Sequence, residues 1–300
     1  MDFSVADAAR MQALVCMQDV HTITALEGGI TNRNYRVVTA EREFVVRVSD
    51  PESSALAIDR DAEYENSVRA AASGAGPSVV EYVPGAGLLV VSWIHGRTFH
   101  KPDVAANLPR IAQACQLLHR GPAFVSSFNM FEIQQRYLRL VLEQGYRLPD
   151  EYLSFAEGVA SIKRVFAMHP EPLVPCNNDL LAENFIDDGE RIWIIDEEYS
   201  GNNEASFELG NIWSESSLDD ESLEALVTAY WGTADAAKVA RARLWGVMSK
   251  YGWTLWASIQ EAISPIEFGF WEWGMEKYDR AVEEFRSPGF ARLLEQASDA

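Results

Sequence analysis

Residues 175–199 read PCNNDLLAENFIDDGERIWIIDEEY, and three of them have the chemistry and spacing to hold a cation beside a base. Phe185 and Ile186, then residues 191–195, are apolar strand segments joined by Asp187, Asp188, Gly189 and Glu190, a turn sequence in which glycine can supply positive φ. Pairing across that turn sets Asn184 and Asp196 roughly opposite each other at the open end of a hairpin. Asp179 lies five residues before Asn184, so a short loop brings it to the same opening. Two carboxylates and an amide oxygen are hard donors of the kind Mg²⁺ takes, with phosphate and water completing its shell. The plainer alternative is a surface hairpin with acidic ends.

Other elements must position these groups. Between Thr22 and Val48 turn signals alternate with β-branched runs, at 34–38 and 44–48, which predicts a small antiparallel sheet. Residues 57–72 are rich in helix formers and stop at SGAGPS, and two short strands, 78–83 and 88–93, flank PGAG. The expected order is β-β-β-α-β-β. After His95-Gly96 helical spacing dominates, at 107–120, 132–144, 222–230, 234–260 and 266–285. The expectation is an α+β chain of two lobes, a sheet-bearing lobe over 1–95 and a larger, mainly helical lobe over 96–300.

Composition narrows the partners. Forty-five acidic against 25 basic residues give a formal net charge of -20, the wrong sign for tracking a phosphate backbone, so nucleic acid is not an expected partner. No apolar run approaches the length of a membrane span and no basic segment precedes an apolar one at the start, so a cytoplasmic protein is expected. Cys16, Cys115 and Cys176 are few, odd in number and far apart, which suits reduced thiols and no structural metal.

Asp-x4-Asn followed by an apolar strand ending in Asp is the order of the phosphoryl-transfer site in the protein-kinase-like fold. NDLLAEN and IIDEEY resemble the corresponding segments of the choline and ethanolamine kinase family, within the aminoglycoside phosphotransferase superfamily. The resemblance implies Asp179 as catalytic base, Asn184 and Asp196 as ligands of Mg²⁺, and ATP as phosphoryl donor. EGGITNRNYRV is similar to the family's phosphate-covering turn, with Thr31 and Asn32 at its tip. Arg47 in FVVRV stands at the position of the basic residue that meets the ATP phosphates, with Glu63, or less suitably Glu65, as its helix partner. Trp93 and Ile94 fall in the hinge that meets adenine. Read without the family, Arg47 is an ordinary charge at a strand end.

The segment 253–280, WTLWASIQEAISPIEFGFWEWGMEKYDR, resembles choline kinases in its order of aromatic and acidic elements. By that resemblance Tyr199, Trp253, Trp256, Phe268, Phe270 and Trp273 form an aromatic cage for a small cationic alcohol, with Glu215 as acidic neighbour. Ring faces suit a quaternary ammonium group, which has no N–H to donate. By periodicity alone such a stripe is core packing. Two positions depart from the fold's pattern: Asn177 stands where histidine is common, and Glu197 follows Asp196 where an aromatic residue is frequent. Glu208 is expected to brace the loop, and Cys176 to be a small buried residue. The expected activity is ATP-dependent phosphorylation of choline to phosphocholine. The alternatives are ethanolamine, an aminoglycoside or another cationic alcohol as acceptor, or a noncatalytic pseudokinase.

Overall fold

The computed structural model describes residues 5–26, 31–49, 56 and 58–299. Five antiparallel strands, β1 (Val20–Leu26), β2 (Arg33–Thr39), β3 (Glu43–Val48), β4 (Val79–Val83) and β5 (Leu88–Ser92), form a sheet in the order β1-β2-β3-β5-β4. Alternation along β2 and β3 buries Tyr35, Val37, Phe44, Val46 and Val48, which pack with Leu88, Val90 and Met11 from helix α1 (Val5–Met11). The two-residue period therefore turns Arg47 to the opposite face. Helix α2 (Arg60–Ser73) starts at Arg60 because the Asp59 side chain accepts hydrogen bonds from the N–H groups of Asp61 and Ala62, and it ends at Gly74 with φ of 84°. The sequence pattern placed its start at Ala57, outside the described residues.

Strand β6 (Arg97–Thr98) leaves this sheet and pairs with β8 (Phe185–Asp187), which pairs in turn with β9 (Ile192–Ile194). Strands β7 (Leu173–Cys176) and β10 (Gly201–Glu204) make a second antiparallel pair. Around these small sheets lie α3 (Lys101–Ala106), α4 (Leu108–His119), α5 (Met130–Gln144), α6 (Ala156–Met168), α7 (Ala205–Glu215), α8 (Asp220–Trp231), α9 (Ala236–Ile263), α10 (Phe270–Arg286) and α11 (Phe290–Ala297). The architecture is the expected α+β, with a small antiparallel sheet and a larger helical part.

Helix α9 is the spine of the helical part, packed against α5, α7, α10 and α11. A Cβ on Gly210 of α7 would lie 2.1 Å from the Ala242 carbonyl oxygen, and one on Gly246 of α9 would lie 2.6 Å from the Trp213 ring. Glycine at both positions lets α7, which carries Glu208 and Glu215, cross α9, which carries Trp253 and Trp256, backbone against backbone. Sequence patterning did not resolve α7, because every one of its residues is buried and no single apolar face exists to be read. Among the described residues no helix is long and apolar enough to cross a membrane.

Candidate active site

The hairpin pairs Phe185 with Ile194 and Asp187 with Ile192. Ile195 N–H then donates to the Asn184 carbonyl at 3.0 Å, so Asn184 faces Ile195 and Asp196 stands one residue beyond. Asp196 sits at φ 71° and Asn178 at φ 69°, residue types that accept the left-handed region more readily than most. Two sharp bends thus bound the site.

The loop carrying Asp179 is anchored from beneath. Both oxygens of the buried Glu208 accept backbone N–H groups, Asn177 at 2.9 Å and Asn178 at 2.7 Å. The Asn177 amide donates to the carbonyls of Ile195 (3.2 Å) and Asp196 (2.8 Å), while its oxygen accepts the Asp179 N–H at 3.1 Å. Asparagine here ties the Asp179 loop directly to the Asp196 bend. Asn184 donates its amide N–H to the Asp179 carbonyl at 2.7 Å, which commits the nitrogen and leaves the amide oxygen as a donor atom. With the Asp196 carboxylate, that oxygen is a hard donor set that fits Mg²⁺.

Arg47 reaches Asp196 at 2.7 Å and also pairs with Glu63. Glu63 is buried on the inner face of α2 and Glu65 is exposed, so helix phase selects the former. Arg60, one turn earlier, pairs with Glu63 at 2.6 Å and with Glu198 at 3.3 Å, and donates to the Asn32 side-chain oxygen at 3.1 Å. Thr31 and Asn32 both donate to Glu198, at 2.9 and 2.7 Å. The Gly28-Gly29 part of this turn lies outside the described residues. Trp93 and Ile94 connect β5 to β6; the Trp93 N–H donates to the Glu43 carbonyl, and the Arg36 guanidinium lies 4.5 Å from the centre of its ring.

Burial raises the Asp179 carboxyl well above the ordinary range, reinforced by the negative charges of Glu215, Glu198 and Asp196 and opposed by Lys277. Burial likewise pushes Glu198 up to about 7, with Asp196 adding to it and Arg47 and Arg60 opposing. Glu197 is pushed up to about 8 by burial, against the hydrogen bond from Ser200.

The aromatic residues named from the sequence meet. Tyr199 and Trp253 stand edge to face at 4.9 Å, Trp256 N–H donates to the Tyr199 hydroxyl at 2.8 Å, and Trp256 lies 5.7 Å from Phe270 and 5.5 Å from Trp273. Phe268 touches Phe270 at 4.9 Å and is 40% exposed, at the rim. Trp253 and Trp256 belong to the large apolar core as well, so core packing and a ligand-facing role fall on the same rings. Lys277, which sequence reasoning missed, pairs with Glu215 and sits 4.0 Å from the Trp273 ring centre. Arg60 and Glu198 were missed too. Their only local signals were the three-residue step from Arg60 to Glu63 and the second carboxylate after Asp196.

A sheet lobe whose Arg–Glu pair reaches a carboxylate at the mouth of a helical lobe's hairpin defines the protein-kinase-like fold. The model of the family described as Choline/ethanolamine kinase matches residues 23–230, and the chain belongs to that family. It is similar to human Ethanolamine kinase 1, 23% identical over 86% of this chain and 66% of that protein's length, so the chain spans about two thirds of this relative. A choline/ethanolamine kinase family protein from Mesorhizobium loti superposes with a TM-score of 0.86 at 28% identity, covering 99% of this chain and 100% of that one. The choline kinase LicA from Streptococcus pneumoniae shares the fold, with a TM-score of 0.82 at 24% identity over 96% and 100% of the two chains.

Proposed function

We propose that the chain transfers the γ-phosphoryl group of ATP to the hydroxyl of choline, giving phosphocholine. The observation that carries this reading is the convergence of Asp179, Asn184 and Asp196, with Arg47 bridging Asp196 to Glu63. Asp179 orients the acceptor hydroxyl and takes its proton, and its raised affinity for protons suits a base. Asn184 and Asp196 hold Mg²⁺, which neutralises phosphate charge when bound. Arg47, kept in place by Glu63, supplies positive charge to the phosphates, with Thr31 and Asn32 over them and Trp93 and Ile94 beside the base. Tyr199, Trp253, Trp256, Phe268, Phe270, Trp273 and Glu215 receive the cationic head. The lobes divide at residues 95 and 96, and the chain works in the cytoplasm, where its three thiols stay reduced.

A second reading, ethanolamine as acceptor, is favoured by one feature. The Oε1 of Glu215 is buried without a hydrogen-bond partner, and a primary ammonium could donate to it whereas a quaternary one could not. The deciding experiment measures ADP release from Mg·ATP by the purified chain with choline, ethanolamine and an aminoglycoside in parallel. Turnover dependent on choline supports the first reading, turnover with ethanolamine alone the second, and no turnover with either removes both.

A further inference from the structure

Arg60 belongs to no motif that the sequence marked, yet it joins three parts of the site at once. Its guanidinium contacts Glu63 on its own helix, Glu198 two residues past Asp196, and the side-chain oxygen of Asn32 in the turn after β1. Glu198 has both oxygens engaged, Oε1 by Thr31 and Oε2 by Asn32 and Arg60. Arg47 extends this chain of contacts by pairing with Glu63 and Asp196. Three carboxylates and two guanidinium groups therefore alternate along a chain, Asp196–Arg47–Glu63–Arg60–Glu198, whose members come from β3, α2 and the Asp196 loop, with Thr31 and Asn32 of the β1–β2 turn bonded to its Glu198 end. Arg60 is 17% and Glu198 5% exposed at the side chain, so this pair is largely shielded from water and its charges are weakly screened.

We propose that Arg60 is a positioning residue for the nucleotide: it clasps Asn32 and Glu198 together and so holds the Thr31–Asn32 tip closed against the Asp196 loop. The inference rests on the nucleotide-binding part of the proposed function. A planar fork can serve Glu63, Glu198 and Asn32 from one group, whereas a lysine ammonium is a single point on a flexible stem. With Arg60 gone, the Asn32 side-chain oxygen loses its donor, and Glu63 and Glu198 keep only Arg47 as a neighbouring guanidinium to offset their charge. Nucleotide binding then weakens because only the direct bonds of Thr31 and Asn32 to Glu198 still hold the tip, although Arg60 itself need touch no phosphate.

Calorimetric binding of a nonhydrolysable ATP analogue with Mg²⁺ to the full chain tests this in wild type, Arg60→Met, Arg60→Lys, Asn32→Ala and Arg60→Met with Asn32→Ala. Arg60→Met is expected to weaken binding roughly tenfold and Asn32→Ala roughly threefold, with the double variant within about twofold of Arg60→Met, because residues acting through one contact are not additive. Arg60→Lys keeps the charge and is still expected to bind roughly threefold more weakly. Wild-type binding by Arg60→Lys would mean that charge alone matters and would overturn the clasp, as would effects of Arg60→Met and Asn32→Ala that multiply. Thermal melting accompanies each variant; if Arg60→Met does not fold, Arg60→Lys alone and combined with Asn32→Ala carries the same comparison. Because the readout is nucleotide binding without acceptor, a chain that shows this pattern yet phosphorylates no amino alcohol loses the proposed acceptor and keeps the clasp.

Discussion

Lys277 holds its ammonium 4.0 Å from the centre of the Trp273 ring while paired with Glu215, so a resident cation already occupies one ring face and one carboxylate oxygen of the aromatic cluster. Both partners of the ion pair are buried, at 5% and 4% exposure. Lys277→Met should therefore cost roughly 3 to 5 kcal/mol, as breaking a buried pair from one side does. Adding Glu215→Gln removes the stranded charge, and the double variant should recover much of that loss. Chemical denaturation of the two single variants and the double variant measures the coupling; strictly additive losses would show that the pair is not a unit.

Asp179→Ala and Asp196→Ala should both abolish phosphate transfer while differing in nucleotide binding. The first removes the proposed base and should leave affinity for Mg·ATP near normal. The second removes a proposed metal donor and the partner that Arg47 meets at 2.7 Å, so binding should lose its dependence on Mg²⁺. Titrating a nonhydrolysable analogue with and without Mg²⁺ separates them.

The pH dependence of kcat follows from Asp179. Burial and then Glu215 raise its carboxyl well above the ordinary aspartate range. A base acts ionised, so the rate should climb with pH through that raised value, placing the acid limb above the ordinary carboxylate range. Glu215→Gln removes the largest of the neighbouring negative charges and should move the limb to lower pH. A limb that stays in place in Glu215→Gln at saturating substrates would detach it from Asp179.

Glu197 makes a stability prediction with a definite sign. Its folded carboxyl is pushed from 4.5 up to about 8, so across that window the folded chain holds a proton that the unfolded chain releases. Stability from this group is full below pH 4.5 and is lost as pH rises through about 8, at most roughly 5 kcal/mol. Glu197→Gln cannot ionise and keeps an oxygen for the Ser200 hydroxyl. Urea melts should show it close to wild type at acid pH and more stable at pH 8.5.

Trp256 donates to the Tyr199 hydroxyl and packs on Phe270 and Trp273. Trp256→Phe preserves a ring but weakens the attraction to a cation, so the KM for choline should rise roughly two- to fivefold while that for ATP stays put. Trp253→Ala, by contrast, empties a core position that is 3% exposed and should lower stability by roughly 3 to 5 kcal/mol. Steady-state kinetics with thermal melting distinguishes the two tryptophans.

Much of the site was legible because it is local. Asp179, Asn184 and Asp196 lie within one hairpin and its lead-in, and a turn with glycine at φ 94° sets the register that aligns them. Arg47 and Glu63 were singled out by the family resemblance; in the structure the two-residue period of β3 turns Arg47 away from the sheet's core, and the helical phase of α2 buries Glu63 and exposes Glu65. The sequence by itself determined the first sheet, the hairpin and most of the long helices, with the direction each side chain leaves its own backbone, but not the fully buried α7. Only tertiary packing decided which charges meet across elements: Arg60 and Glu198 are 138 residues apart, and Lys277 and Glu215 are 62 apart. No periodicity encodes such pairs, because an ion pair depends on the distance between two elements, and that distance is set by how the lobes and helices dock, down to the two glycines that let α7 and α9 touch.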